Sequence, residues 1–188
     1  LKNNDLSENT VIIFTSDHGD CLTDHGHSQK WTMFEKITRV PLIFSGVGIQ
    51  KNQRIEELVQ WMDVGPTILD LAKCDSPSGM EAVSMLPAVM GDTWKGRDYL
   101  FCEQVGDMVL TDAKFMSMIR SQTWKLIHFL DSTEGQMYNL VNDPTEQQNL
   151  WNSEEHESKK QTLLIELLNW RVKSQLEHSN CWIYQNPQ

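Results

Sequence analysis

The sequence predicts an α/β fold in two parts, an α/β sheet followed by a small antiparallel sheet that packs on a C-terminal helix. The first observation is an apolar run at Val11–Phe14, whose β-branched and aromatic residues are typical of a strand buried on both faces in a parallel sheet. The second is a series of short strand patterns after residue 98, separated by brief polar turns, which predicts antiparallel pairing. The third is an apolar stripe at helical spacing, which predicts a helix that covers one face of the small sheet. Its members are Leu164, Leu167, Leu168 and Val172.

Further elements are predicted before residue 98. A second apolar run, Val40–Phe44, is interpreted as a strand entered through Pro41, and Glu57–Gln60 as a short strand-like piece. Asp63 is typical of a helix N-cap, and another short helix is expected around Ser84–Met90. The packing side of the helix after Asp63 is expected to carry Ile68, Leu69, Leu71 and Ala72.

The second part of the chain is predicted to hold four strands before its helix. These strands are Tyr99–Glu103, Phe115–Arg120, Trp124–Leu130 and Gln136–Val141. Because the pattern changes near residue 97, residues 1–97 are expected to form the end of an α/β domain and residues 98–188 a small C-terminal subdomain.

Composition limits the class of protein. With 188 residues, of which 39% are apolar, the chain can bury a core. Its net charge of −10 argues against a nucleic-acid or anionic-membrane surface, and no run is long enough for a membrane span. Since the chain begins at Leu1, an upstream signal peptide stays open and no compartment is assigned.

The widely spaced cysteines suggest no zinc cluster, and they are expected to be buried thiols or to form one or two disulfides. They are Cys21, Cys74, Cys102 and Cys181.

The candidate site residues follow the first strand. Asp17 and His18 come just beyond its carboxyl end, where ligands bind in open α/β sheets. A carboxylate beside an imidazole offers two donors for a divalent cation, and Gly19 lets the backbone turn away. The connection from Asp17 to about Phe34 is long and lacks a regular pattern, which indicates a functional loop.

These residues begin a longer pattern. It consists of Asp17-His18-Gly19-Asp20, Asp24-His25-Gly26, Lys30, Arg39-Val40-Pro41-Leu42-Ile43, Trp124-Lys125-Leu126-Ile127, Met137-Tyr138-Asn139-Leu140 and Asn142-Asp143-Pro144-Thr145-Glu146. In this order it resembles the sulfatases of the alkaline-phosphatase superfamily, over nearly the whole chain. The resemblance implies that the first part is the C-terminal part of an alkaline-phosphatase-like sheet, and that the enzyme hydrolyses sulfuric esters.

The resemblance also implies roles for individual residues. Asp17 and His18 would bind a divalent metal; Ca²⁺ is favoured, with Mn²⁺ or Zn²⁺ as alternatives because imidazole suits a hard cation less well than an amide oxygen. Lys30 would be catalytic and substrate-binding, since its ammonium would contact the sulfate and stabilise charge on the leaving group. His25 is a candidate proton donor to the leaving alcohol or a brace for the loop, and His27 is a candidate for substrate contact.

The nucleophile expected of a sulfatase is not found in this chain. Sulfatases use a formylglycine made from the Cys or Ser of a Cys/Ser-x-Pro-Ser-x-Arg motif, and Cys74-Asp75-Ser76-Pro77-Ser78 comes closest but places Pro77 one position too late. The early Asp-Asp metal pair of the family is absent too. We therefore expect a C-terminal portion of a sulfatase, with the nucleophile in the N-terminal half of the same enzyme, and no activity from this stretch alone.

Two alternatives stay open. A histidine at the position of His18 is also seen in phosphonate and phosphodiester hydrolases of the superfamily. A phosphate or phosphonate ester is therefore the second candidate substrate. The missing nucleophile motif allows a non-catalytic, truncated module, which could form a homo-oligomer to cover exposed apolar faces. For the sulfatase, the expected substrate is a sulfated small molecule or glycan.

Other residues are given structural roles. Arg39 is expected to pair with a carboxylate such as Glu35. Glu103 and Arg120 are expected to form salt bridges at the ends of their strands. The tryptophans that are expected to pack in the core rather than bind sugars are Trp124, Trp151 and Trp170.

Overall fold

The computed structural model describes the backbone of residues 1–106 and 112–185, and the side chains of residues 1–106 and 112–176. The strands of this part of the chain are β1 (Val11–Thr15), β2 (Leu42–Gly46), β3 (Leu100–Val105), β4 (Phe115–Arg120), β5 (Trp124–Phe129) and β6 (Gly135–Asn139). The α-helices are α1 (Glu35–Thr38), α2 (Val64–Leu71), α3 (Leu86–Met90) and α4 (Glu157–Gln185). The predicted α/β class is confirmed.

The first apolar run forms a strand, but its surroundings differ from the prediction. β1 pairs with β2 in an antiparallel ladder that sets Phe14 opposite Ile43. Side chains alternate between the two faces of a strand, and on one face Ile12, Phe14 and Ile43 are 49%, 60% and 55% exposed. The expected burial on both faces in a parallel sheet is therefore wrong for the described residues, because none of them covers this face.

The small antiparallel sheet is confirmed. Its strand order is β3-β4-β5-β6, and each neighbouring pair is antiparallel. The prediction for β4 is correct at both ends, while the other three strands differ from it by one or two residues at each altered end. The tightest link, Ser121–Thr123, joins β4 to β5, and there the N–H of Ser121 donates to the carbonyl of Trp124 at 2.8 Å. Short links of this kind force consecutive strands to pair antiparallel.

Both faces of this sheet are buried, which makes it the middle of three layers. On one face Met118 and Ile127 pack with Met33, Phe34 and neighbouring residues that precede or lie in α1. On the opposite face the sheet packs against α4 and the segment before it. The buried residues there are Ile119, Leu126, Met137, Trp151, Leu163 and Leu167. Neighbouring residues such as Leu126 and Ile127 serve opposite layers, because the pleat alternates side chains.

Helix α4 covers the sheet as predicted, and two of the four predicted side chains, Leu164 and Leu167, pack on it. Leu163 and Leu167 are 2% and 6% exposed, whereas Leu168 and Val172 of the predicted stripe are 62% and 47% exposed. The helix is apolar on two opposite sides, so periodicity alone does not show which side faces the sheet. The predicted packing of Trp151 and Trp170 holds, since both join the cluster beneath α4.

The carboxylate of Asp63 has a role that the sequence did not indicate. α2 begins directly after Asp63, as predicted, but the side chain does not cap the helix. It is fully buried, where it accepts hydrogen bonds from the backbone N–H groups of Gln60 (2.8 Å) and Val83 (2.7 Å) and forms a salt bridge with Arg97. On α2 itself, Ile68 is 47% exposed, so its predicted packing role is wrong.

Two sequence expectations concern cysteines and membranes. Cys21, Cys74 and Cys102 are free thiols, and the side chain of Cys181 lies outside the described residues. Within the described ranges, no helix has the length and apolar character that crossing a membrane requires.

The contact between Gly135 and Trp151 gives a test of the packing beneath α4. A methyl group at Gly135 would overlap the indole ring of Trp151, so we expect Gly135→Ala to lower the free energy of unfolding by about 1–3 kcal/mol. The control is Gly65→Ala in α2, where a methyl group meets no atom within 4 Å. Urea denaturation should show no loss for this control, because alanine favours a helix over glycine. Equal loss in the two variants would contradict the packing described.

Candidate active site

The structure places Asp17 and His18 side by side just beyond the end of β1. The Oδ2 atom of Asp17 lies 3.6 Å from Nε2 of His18, and the two side chains are 75% and 39% exposed. Two donors that bind one Ca²⁺ ion at about 2.4 Å each lie about 3–4 Å apart. The separation of these two atoms therefore suits a shared cation.

The hydrogen bonds of this pair orient both donors. Nδ1 of His18 lies 2.8 Å from the carbonyl oxygen of Gly19, and since a carbonyl only accepts, Nδ1 carries the hydrogen. In the neutral imidazole this leaves a lone pair on Nε2, the nitrogen that faces Asp17. The backbone N–H of His18 donates to Oδ1 of Asp17 at 2.9 Å, and this bond lowers the pKa of the Asp17 carboxyl. These hydrogen bonds leave Oδ2 of Asp17 and Nε2 of His18 facing each other.

Within the described ranges, Asp17 and His18 alone do not make a complete metal site. Among the residues that the structure describes, no group of three or more His, Cys, Asp or Glu side chains converges on one point. Ca²⁺ takes six to eight oxygen ligands in proteins. The chemistry of Asp17 and His18 fits part of a cation site whose other ligands would come from outside the described residues.

Glycine at position 19 is required by a close backbone contact. Its N–H donates to the carbonyl of Ile37 at 2.8 Å, and a methyl group on Gly19 would overlap the carbonyl oxygen of Lys36. The turn after His18 therefore lies directly on α1. Any displacement of α1 would move Asp17 and His18 as well.

The loop between β1 and α1 is closed at its base. The Asp20 carboxylate accepts hydrogen bonds from the N–H groups of Leu22 (2.9 Å) and Gln29 (3.2 Å). In addition, the N–H of Cys21 donates to the carbonyl of Gln29 at 3.0 Å. These bonds hold the two ends of residues 20–29 together, and Lys30 follows immediately.

The two loop histidines lie at Phe34. The ring of His25 stacks on that of Phe34 with centroids 3.8 Å apart and planes 6° from parallel, whereas His27 lies at 6.3 Å and is tilted. Lys30 is exposed and forms no hydrogen bond or ion pair with another residue of the described ranges. The structure thus brings Asp17 and His18 together and gathers the histidines elsewhere on the loop, without a contact that joins Lys30 to either group.

A buried ionic cluster beneath the loop was missed by the sequence analysis. Nζ of Lys125, which is fully buried, lies 2.9 Å from Oε1 of Glu35 and 2.8 Å from Oε1 of Glu146. The guanidinium of Arg120 donates twice to Glu35, at 3.1 and 3.2 Å. The expected pairing of Arg39 with Glu35 is wrong, because Arg39 is exposed and Glu35 turns toward the sheet. We call Glu35, Arg120, Lys125 and Glu146 the ionic quartet.

Electrostatics explain why Glu35 is ionised there. Burial raises the pKa of the Glu35 carboxyl, but the charge of Lys125 and the hydrogen bonds and charge of Arg120 outweigh it, so its pKa lies below the ordinary 4.5. The predicted salt bridges of Arg120 and Glu103 are both present; Glu103 pairs with Arg171 of α4 at 2.7 Å.

The lowered pKa of Glu35 gives a pH-dependent contribution to stability. Because the folded pKa is below 4.5, this contribution is complete above pH 4.5 and is lost as the pH falls through the folded pKa. We expect Glu35→Gln to reduce the free energy of unfolding by about 1–3 kcal/mol at about pH 6, and by less at about pH 3. Urea denaturation at both pH values measures the difference, and a constant difference would contradict the assignment.

Comparison with known proteins identifies the family. Residues 23–173 match the family model described as N-sulphoglucosamine sulphohydrolase, C-terminal. Arylsulfatase K of Canis lupus familiaris is 31% identical over 159 residues, which cover 80% of this chain and 29% of the relative. An N-acetylglucosamine-6-O-sulfatase of Bacteroides thetaiotaomicron is 33% identical over 169 residues, 86% of this chain and 30% of the relative. The chain thus spans about three tenths of the length of these relatives.

Solved structures show the same fold. A protein in complex with its substrate, D-glucosamine-2-N,6-O-disulfate, superposes with a TM-score of 0.81 at 28% identity, over 93% of this chain and 36% of that chain. Phosphonate monoester hydrolase of Agrobacterium radiobacter superposes with a TM-score of 0.82 over 93% of this chain and 37% of that chain; at 24% identity this likeness concerns the fold alone. The alkaline-phosphatase-like fold expected from the sequence is confirmed, and the chain belongs to the sulfatase family, in which it corresponds to the C-terminal portion.

Proposed function

We propose that this chain forms the C-terminal portion of a metal-dependent sulfatase and supplies two cation ligands and a sulfate-binding lysine. The observation that supports it best is the arrangement at Asp17 and His18, whose donor atoms lie 3.6 Å apart while Nδ1 of His18 is occupied by a backbone carbonyl. Family membership supplies the reaction class, the hydrolysis of a sulfuric ester.

Asp17 and His18 would hold the cation through Oδ2 and Nε2. When bound, the cation would supply positive charge that polarises the sulfate group. Ca²⁺ is the preferred candidate because the family resemblance implies it, while the imidazole of His18 would also suit Mn²⁺ or Zn²⁺. The exposed carboxylate of Asp17 is ready for this role, since its pKa is lowered by the N–H of His18.

Lys30 and the loop histidines would act on the substrate. The ammonium of Lys30 has no partner among the described residues, so it is available to a sulfate oxygen and to the bridging oxygen of the ester. His25 would protonate the leaving alcohol, although its stacking on Phe34 equally suits a brace for the loop. His27 is more exposed than His25 and would contact the substrate. The expected substrate is a sulfated small molecule or glycan; one similar structure holds a sulfated glucosamine.

The N-terminal half of the same enzyme would complete the site. It is expected to carry the formylglycine, which would supply the nucleophile, and the remaining metal ligands. The exposed apolar face formed by Ile12, Phe14 and Ile43 supports such a neighbour, because apolar surface of this kind is usually covered. The chain alone would then be inactive, and self-association through its exposed faces stays a prediction.

The second candidate function is the hydrolysis of phosphonate or phosphodiester bonds. It is favoured by His18, since the family resemblance implies a histidine at this position in phosphonate and phosphodiester hydrolases of the superfamily. A non-catalytic module stays the third. Assay of the full-length protein with an aryl sulfate and with the matching aryl phosphonate ester separates the three. We expect faster turnover of the sulfate; preference for the phosphonate, or no hydrolysis of either ester, would contradict the proposal.

Substitutions in the full-length protein test the site residues. Lys30→Ala should lower kcat/KM for the aryl sulfate by about 100-fold or more, because a charge fixed at the leaving group is lost. Lys51, which is exposed on a turn after β2, provides the control: Lys51→Ala should leave kcat/KM unchanged. Equal rates for both lysine variants would exclude Lys30 from the reaction.

The metal ligands are tested by binding rather than by activity. Asp17→Asn and His18→Ala should each weaken Ca²⁺ binding, measured by isothermal titration calorimetry, by about tenfold or more. Asp112→Asn, at an exposed carboxylate before β4, is the control and should bind as the unaltered protein does. Unchanged affinity in the Asp17 and His18 variants would refute the metal assignment.

A further inference from the structure

The ionic quartet joins four separate segments beneath the loop. Glu35 begins α1, Arg120 ends β4, Lys125 lies in β5, and Glu146 follows β6. Arg120 and Lys125 are directly opposite each other across the ladder, so both reach the same face of the sheet. Two cations and two carboxylates make the quartet neutral.

The bonds of Lys125 satisfy its buried ammonium completely. Besides the two carboxylates, Nζ donates to the carbonyl of Met33 at 2.8 Å and lies 3.4 Å from the hydroxyl of Thr38. The second oxygen of Glu146 accepts a hydrogen bond from the backbone N–H of Glu35 at 2.6 Å. Lys125 and Glu146 thus hold the backbone of residues 33–35 from both sides.

This arrangement is better explained by positioning than by stability. A buried ion pair loses much of its attraction to the cost of removing two charges from water, so an apolar replacement often serves stability equally well. The quartet nevertheless fixes backbone atoms, which apolar side chains do not do. Its hydrogen bonds require α1 to lie at one place on the sheet.

The held backbone continues directly into the proposed site. Met33 is three residues beyond Lys30, Phe34 stacks with His25, and the carbonyl of Ile37 receives the N–H of Gly19. The quartet therefore provides a buried anchor next to the segment that carries Lys30, the ring on which His25 stacks and the turn after His18.

We propose that Lys125, together with Glu146, is a positioning residue that holds the loop of residues 17–34 and so places Lys30 for the anionic substrate. The effect of Lys125 on catalysis rests on the proposed sulfatase function. Its structural role, the ordering of the loop by the buried ammonium, is independent of the reaction.

The test is a charge-balanced removal in the full-length protein. Lys125→Met with Glu146→Gln removes one charge of each sign and keeps the Glu35–Arg120 pair. The control is Lys114→Met with Asp131→Asn, which removes an exposed ion pair just outside the ends of β4 and β5 (62% and 66% exposed side chains). Amide hydrogen exchange and steady-state kinetics with the aryl sulfate are measured for both.

In the quartet variant, we expect exchange of residues 29–38 to accelerate about tenfold or more, with β4 and β5 unchanged, and kcat/KM to fall about 10–100-fold. The control should match the unaltered protein in both measurements. Exchange that rises equally throughout the sheet, or not at all in residues 29–38, would overturn the proposal. If that variant does not fold, Glu146→Gln alone is tested, which leaves Lys125 paired with Glu35. It must show the same local rise in exchange and the same kind of loss in kcat/KM, both smaller. Absence of these two effects would overturn the proposal.

Different results would contradict the proposed sulfatase function and the positioning role of Lys125. An unaltered protein without sulfate ester hydrolysis would contradict the proposed function, yet local exchange in the quartet variant would still support positioning. Normal hydrolysis with no effect of the quartet variant on exchange or kcat/KM would contradict positioning alone.

Discussion

The constraint on which the rest of the structure depends is the need to neutralise a fully buried ammonium at Lys125. In a medium of low dielectric an uncompensated charge is very unfavourable, and Glu35 and Glu146 both reach this ammonium. Glu35 lies at the start of α1, and Glu146 lies in the turn after β6. The bonds of one side chain near the start of β5 therefore fix the positions of two other segments of the chain.

The sheet transmits this constraint because both of its faces are packed. Its outer face is closed by Trp151 and α4, and its inner face by Met33 and Phe34 of the loop and Ile37 of α1. Ordering a loop costs conformational entropy. Apolar burial together with the ionic quartet offsets this cost and holds the loop in place. The proposed catalytic side chains remain at its exposed surface, where Asp17 is 75% exposed. A binding loop requires a backbone that is held in place and side chains that stay exposed to the ligand.

Much of the fold followed from local pattern, and the failures have physical causes. The four strands of the sheet were predictable because short polar turns and the apolar and aromatic segments between them are local signals. The exposed face at Phe14 was not, since burial depends on which other residues are present to cover it. Half of the predicted stripe on α4, Leu168 and Val172, was also misplaced, because Leu167 and Leu168 lie on different apolar sides of the helix. The spacing of apolar residues in the sequence cannot show which of two apolar sides of a helix faces the sheet.

The adjacency of Asp17 and His18 was predictable because both follow one strand, whereas the quartet was not. Lys125 lies in an apolar run, Trp124-Lys125-Leu126-Ile127, and a lysine there is usually read as a solvent-facing residue. Only the pairing of β4 with β5 brings Arg120 beside it, and Glu35 comes from 85 residues away from Arg120. Ionic partners at such separations leave no local pattern.

The most direct test of this account is a crystal structure of the full-length protein with Mn²⁺ and sulfate, with the metal located by anomalous scattering. The account predicts an anomalous peak about 2.0–2.6 Å from Oδ2 of Asp17 and Nε2 of His18, with Nζ of Lys30 hydrogen-bonded to the sulfate beside it. A peak away from this pair, or a sulfate that Lys30 does not contact, would contradict it.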